Sequence, residues 1–287
     1  MAMVGLLNPG DEVIVIEPAF INYVQVARMV GAVPVIVAAR EENSWIVDPA
    51  EVEQAVTART RMIVINTPTN PTGAVLPRDV LEELARIAIK HNLLVLSDEV
   101  YEKIVYHGSS HVSIASFPGM AERTITVNGY SKAYSMTGWR LAYVVAKADI
   151  ILPMLKVHQY TTTCATTFAQ FGAIAATDGS QSCVAEMVAE FERRRDLVLR
   201  GLAEIEGISC VPPQGAFYAF PNIKAFGLTS AEFVETALTE AGVALVPGTA
   251  FGACGEGYVR LSYANSYENI AEALKRLKQV LARKVKK

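Results

Sequence analysis

The chain has 287 residues, enough for one large or two ordinary domains, and its 51% hydrophobic and 19% charged residues exclude a disordered polymer in favour of a packed core. A formal net charge of −3 without a long block of like charge offers no arm for nucleic acid, and no uninterrupted apolar stretch is long enough to span a membrane. The start, "MAMVGLLNPGDE", lacks the basic and long apolar regions of a signal peptide, and Cys164, Cys183, Cys210 and Cys254 form no C-x-x-C pair and have no histidine at metal-ligand spacing, so the expectation is four reduced thiols in a cytoplasmic protein.

The first half alternates between two periods. "EVIVIEP" (12–18), "VPVIVA" (33–38), "RMIVIN" (61–66), "LLVLSDE" (93–99), "TITVN" (124–128) and "LAYVVA" (141–146) are short β-branched runs, read as strands buried on both faces. "PAEVEQAV" follows Asp48, a good N-cap, with proline at the first helical position. "RDVLEELARIAIKHN" puts Val80, Leu81, Leu84, Ile87 and Ala88 on one face and stops at Asn92. This alternation predicts an α/β fold, a mostly parallel sheet with helices on both faces.

The second half changes character. Long helical patterns run from about Ile150 to Thr177 and from about Cys183 to Ile205, and "VPPQG" then breaks the chain. Short strands follow in "AFYAF", "VALVPG" and "YVRLSYA", with a helix from about Ser230 to Ala241 between the first two. "KRLKQVLARKVKK" reads as an amphipathic terminal helix with a solvated basic face. The expectation is a large domain over 1–185 and a smaller α+β domain over 186–287.

In open α/β sheets ligands bind beyond the carboxyl ends of the strands. After "RMIVIN" comes "TPTNPTG" with Asn70; after "LLVLS" come Asp98 and Tyr101; after "TITVN" comes "GYSK" with Lys132; Arg140 precedes the next run. Taken singly, each has an ordinary role: a turn, a helix cap, a rim tyrosine, a solvated lysine, an ion-paired arginine. Those roles leave unexplained why all five stand at the strand ends of one sheet, and why the neighbours of Lys132 carry no charge. A lysine among apolar and hydroxyl groups can have its pKa lowered and act as nucleophile or base.

"NTPTNPTGAV", "LSDEVYEKIVY" and "VNGYSKAYSMTGWRLAY", in this order, together with "GEGYVRLSYA", resemble the fold-type I pyridoxal-phosphate aminotransferases of class I/II. The wording is most similar to prokaryotic aspartate and aromatic amino-acid aminotransferases, and the resemblance covers essentially the whole chain. It implies pyridoxal 5′-phosphate as cofactor, amino acids and 2-oxo acids as substrates, and a homodimer. Lys132 would form the Schiff base, Arg140 would clamp the phosphate and Asp98 would keep the pyridine nitrogen protonated. Tyr101 and Asn70 would hydrogen-bond the ring's phenolic oxygen, and Phe20 in "EPAFINY" would stack on the ring. Arg260, helped by Asn70, would hold the substrate α-carboxylate. No metal is implied.

Three departures stand out. Family members carry a further stretch before "LLNPGDEV", with a Gly-rich turn whose backbone N–H groups bind the phosphate and a tyrosine that reaches the partner subunit's phosphate. "MAMVGLL" resembles the tail of that helix, and weaker cofactor binding is the expectation for a chain without it. Gly129 stands where some members have a phosphate-binding hydroxyl, and Ala142 replaces the usual glycine after "WRL". The residues alone leave other readings open: a carbon–sulfur lyase or decarboxylase of the same fold, a weakly active shortened relative, or a cofactor-sensing domain such as those fused to winged-helix regulators.

Overall fold

The computed structural model describes residues 1–106 and 108–283; the last residues of the predicted basic terminal helix, 284–287, lie outside them. Five parallel strands, β1 (Glu12–Glu17), β2 (Val33–Ala38), β3 (Thr60–Asn66), β4 (Leu94–Asp98) and β5 (Thr124–Gly129), and an antiparallel sixth, β6 (Ala142–Val145), form one sheet in the order β2-β1-β3-β4-β5-β6.

Successive side chains of a strand point to opposite faces, and the central strands feed two cores in turn. Val13 and Val15 of β1, with Met62 and Val64 of β3, pack under α1 (Ala2–Leu6), α2 (Asn22–Met29) and α6 (Ala148–Thr161). Ile14, Ile63 and Ile65 pack on the other face under α3 (Pro49–Gln54) and α4 (Arg78–Lys90). Each fully buried aliphatic side chain contributes roughly 1.5–3 kcal/mol. The caps follow the sequence. Asp48 accepts the Ala50 N–H at 2.9 Å and Pro49 opens α3. In α4, Leu81, Leu84, Ile87 and Ala88 are buried, Val80 is half-buried, and Asn92 takes the left-handed backbone beyond its end.

Three expectations are corrected. The run 141–146 is a strand, but β6 is exposed along its length, because it is the edge of the sheet and runs antiparallel. β2, the other edge, is buried only in part. The long helical pattern from 150 to 177 is two helices, α6 and α7 (Thr167–Asp178), because Thr163 in "TTTCATT" adopts a φ of +66° that no helix continues. Ala142 pairs in register with Gly129, and a Cβ on Gly129 would lie 3.0 Å from the Ala142 Cβ, so the glycine makes room for the methyl.

Lys132 lies on a single-turn helix, α5 (Tyr130–Ala133), directly after β5. Beyond α8 (Ser182–Ala203), a three-stranded antiparallel sheet has the order β7 (Tyr218–Ala219), β9 (Val259–Ser262), β8 (Val246–Pro247). α9 (Ser230–Ala241) starts on a capping box between Thr229 and Glu232, and α10 (Tyr267–Leu281) on Ser266. Among the described residues three further cores lie among these elements; one includes Tyr101, Ile104 and Tyr106 from the first half, and another joins Trp45 to Phe220, Phe251 and Tyr258.

Candidate active site

Because the strands are parallel, the residues that follow β3, β4 and β5 meet at one edge. Asn66, the last residue of β3, joins two of these ends: its Nδ2 donates to the Asp98 carbonyl at 3.0 Å and its Oδ1 accepts the Asn70 N–H at 2.9 Å. Asp98 ends β4 with its carboxylate buried; Oδ2 accepts the Tyr23 hydroxyl at 2.5 Å and Oδ1 the Val100 N–H at 3.3 Å. Burial pushes this carboxyl above the usual carboxylate range, against the pull of those two hydrogen bonds and of Lys132. Tyr23, on α2, also meets Phe20 edge-on with ring centroids 5.8 Å apart. Phe20 itself is half-buried against the core under α2.

Lys132 is half-buried. Its ammonium lies 5.9 Å from the Tyr101 ring centroid and 5.6 Å from that of Phe217. Burial lowers its pKa, and the positive charges of Arg260 and Arg140 lower it further, while Asp98 opposes them. Arg140 stands exposed at the rim and donates from Nη1 to the Thr137 carbonyl at 3.0 Å, on a backbone with φ of +53°. A left-handed non-glycine residue is strained by roughly 1–3 kcal/mol and is held there by its surroundings.

The second half reaches this edge through a backbone seam. Gly73 of the NPTG turn accepts the N–H groups of Gln214 (2.8 Å) and Gly215 (2.9 Å), while Ala216 N donates to Ile104 O at 2.9 Å. The Tyr106 hydroxyl donates to the Ala216 carbonyl. Gly73 has φ of +71°, and a Cβ there would meet Pro213 Cβ at 2.3 Å and Gly215 O at 2.9 Å, so only glycine fits. The seam delivers Tyr218, whose hydroxyl lies 3.0 Å from that of Tyr101.

Arg260, on β9, donates from Nη1 to Asn70 Oδ1 at 3.1 Å. Its guanidinium carbon lies 4.5 Å from the Tyr218 ring centroid and 4.9 Å from that of Phe251. Burial lowers its pKa. Among the described residues no acid pairs with it, and its buried Nε has no partner. A desolvated guanidinium in that condition is built to receive an anion.

The comparisons decide the family. Residues 1–277 match the sequence pattern of aminotransferase class I and II. The chain belongs to that family. An aspartate aminotransferase of Pyrococcus abyssi is 49% identical over 286 residues, which is 99% of this chain and 73% of that protein. Aromatic-amino-acid aminotransferase 2 of Thermococcus litoralis is 47% identical, again over 99% of this chain and 73% of that protein. The crystal structure of an aromatic aminotransferase from Pyrococcus horikoshii superposes with a TM-score of 0.96 at 47% identity, covering 98% of this chain and 76% of that one. The chain is therefore an enzyme, an aminotransferase, of a family that works with pyridoxal phosphate.

In this aminotransferase Asn70, Asp98, Tyr101, Lys132 and Arg260 are joined by short contacts or mutual electrostatics, Arg140 stands at their rim, and Phe20 is linked to them through Tyr23. Sequence reasoning did not single out Tyr23, Asn66, Phe217, Tyr218 or Phe251. The only signals were local: Tyr23 lies three positions after Phe20, and Asn66 closes the β3 run. Tyr218 sits in "AFYAF", which read as an ordinary short strand, and Phe251 lies between two such strands.

Proposed function

We propose that this edge binds pyridoxal 5′-phosphate and moves an amino group from an L-amino acid, aromatic or acidic, to a 2-oxo acid such as 2-oxoglutarate. The observation that carries the reading is the joint presence of a buried carboxylate, a lysine with a depressed pKa and an acid-free arginine with an orphaned Nε. That donor set fits the cofactor's ring nitrogen, its aldehyde and the α-carboxylate of the amino acid. When bound, the cofactor supplies an electron sink for the substrate Cα. Asp98 would face the ring nitrogen, whose positive charge draws a buried carboxyl back to its ionised form. Tyr101 and the free amide side of Asn70 would hydrogen-bond the phenolic oxygen, Phe20 would cover the ring, and Arg140 would take the phosphate. Lys132 would bond the aldehyde and, once displaced by substrate, carry the proton from Cα. Arg260 would hold the α-carboxylate, steadied by Asn70.

The same reading places the chain in the cytoplasm, divides it at 185/186, and makes it a homodimer. Support for the dimer comes from the apolar surface of β6, α6 and α7, where Val145 (60%), Leu152 (57%), Phe168 (70%) and Phe171 (68%) are exposed. Among the described residues no helix is long and apolar enough to cross a membrane, and no cysteine is paired. The test is one spectrum: purified protein mixed with pyridoxal phosphate should develop a visible band that bleaches on adding an amino donor. A protein that gains no band, or whose band ignores amino donors, contradicts the proposal.

A further inference from the structure

We propose that Tyr218 is a positioning residue that sets two functional groups at once, the Tyr101 hydroxyl through its own hydroxyl and the Arg260 guanidinium through its ring face. The inference rests on the cofactor and carboxylate roles proposed above for Tyr101 and Arg260.

Tyr218 is buried on β7, one strand away from Arg260, because β7 pairs directly with β9. Its hydroxyl lies 3.0 Å from the Tyr101 hydroxyl, and both residues are buried. A phenol offers one proton and two lone pairs. With Tyr218 donating to Tyr101, the Tyr101 proton is free to point at a ligand, and a hydroxyl that accepts one hydrogen bond donates another more strongly. The opposite polarity would spend the Tyr101 proton inside the protein.

The ring of the same residue does a second task. The Arg260 guanidinium rests over Tyr218 and over Phe251, at 4.5 and 4.9 Å from the ring centroids. Among the described residues its hydrogen bond to protein runs from Nη1 to Asn70 Oδ1. Aromatic faces fix the plane of a guanidinium without using its N–H groups, whereas an acid would occupy the ones a carboxylate needs. Tyr218 thus links the end of the site that would hold the cofactor to the end that would hold the substrate. Ordinary packing of the aromatic cluster explains the burial of Tyr218, but it requires no hydroxyl.

Two variants separate the roles. Tyr218→Phe keeps the ring and the packing and removes only the hydroxyl. A hydrogen bond from Tyr101 makes the phenolic oxygen a poorer proton holder, so weakening it should raise the pH midpoint of the cofactor's visible band, by about half a unit. KM for a phenylalanine and an aspartate donor should stay within about twofold. Tyr218→Leu removes both contacts: the midpoint should shift likewise, and KM should rise about tenfold for both donors alike. Melting temperatures of both variants report folding, and Tyr218→Phe carries the midpoint test if Tyr218→Leu is unstable. An unmoved midpoint in Tyr218→Phe beside a normal wild-type band overturns the inference alone, as does an unchanged KM in a folded Tyr218→Leu. A wild-type protein without the band overturns the cofactor reading and this inference with it.

Discussion

The two halves of the site are built by different means. Asn70, Asp98 and Lys132 follow three adjacent parallel strands, β3, β4 and β5, and the topology alone carries them to one edge. Arg260 and Tyr218 come from a four- and a two-residue strand and Phe251 from a four-residue 3₁₀ helix, Gly248–Phe251, whose regular hydrogen bonding is too short to aim anything. They are aimed instead by the Gly73 seam, by ring stacking and by single hydrogen bonds that cross the chain. Long buried strands give a rigid platform for groups that must hold one geometry, as bond-making chemistry requires. A small sheet stitched on by a few contacts suits the substrate-recognising role proposed for Arg260, whose ligand has to be released.

The comparison predicts that damage to the platform lowers turnover and damage to the stitched half weakens substrate binding. The largest effect belongs to Lys132. Lys132→Ala should lose more than about 10⁴-fold in kcat, since in the proposed reaction nucleophile and base would vanish together, and with them the cofactor trappable by borohydride. Peptide mapping that finds trapped cofactor on another lysine would remove Lys132 from its role.

Asp98→Asn comes next. It keeps the shape and the Tyr23 contact but loses the charge, and kcat should fall by about 10³-fold, or about 4 kcal/mol of barrier. Steady-state kinetics with near-normal turnover would contradict the platform's electrostatic role.

Arg260→Ala tests the other half. Removing one partner of a desolvated charge pair costs about 2–5 kcal/mol, so KM should rise at least about 30-fold for every amino donor, with the visible band intact. A defect confined to acidic donors would reassign Arg260 to the substrate side chain.

The smallest effect is on the seam itself. Gly73→Ala forces a methyl against Pro213 and Gly215 O on a left-handed backbone. About 2 kcal/mol of destabilisation, roughly 3 °C in Tm for a chain of this length, should accompany a several-fold rise in KM. If kcat suffers and KM does not, the seam serves the platform and the contrast between the halves fails.

Local signals survived into the structure where one segment decided its own form. α9 spans Ser230–Ala241 as its pattern predicts, and Asp48 with Pro49 opens α3. These features depend on capping and on a period of 3.6 residues, both complete within a dozen positions. The exposure of β6 was hidden because β-branched residues serve an edge strand as well as a central one, and only the sheet order tells them apart. The break at Thr163 was hidden because a run of threonines and alanines carries neither glycine nor proline to mark it.

By itself the sequence determined the parallel sheet, the edge on which Asn70, Asp98 and Lys132 follow their strands, and, through its motifs, the family. These depend on short-range order, which the chain encodes residue by residue. Only the tertiary structure decided that Tyr101 meets Tyr218 across 117 positions. It likewise decided that Tyr23 caps the Asp98 carboxylate. Such contacts have no period and no local partner; burial gives them strength, and burial exists only once both halves have folded against each other.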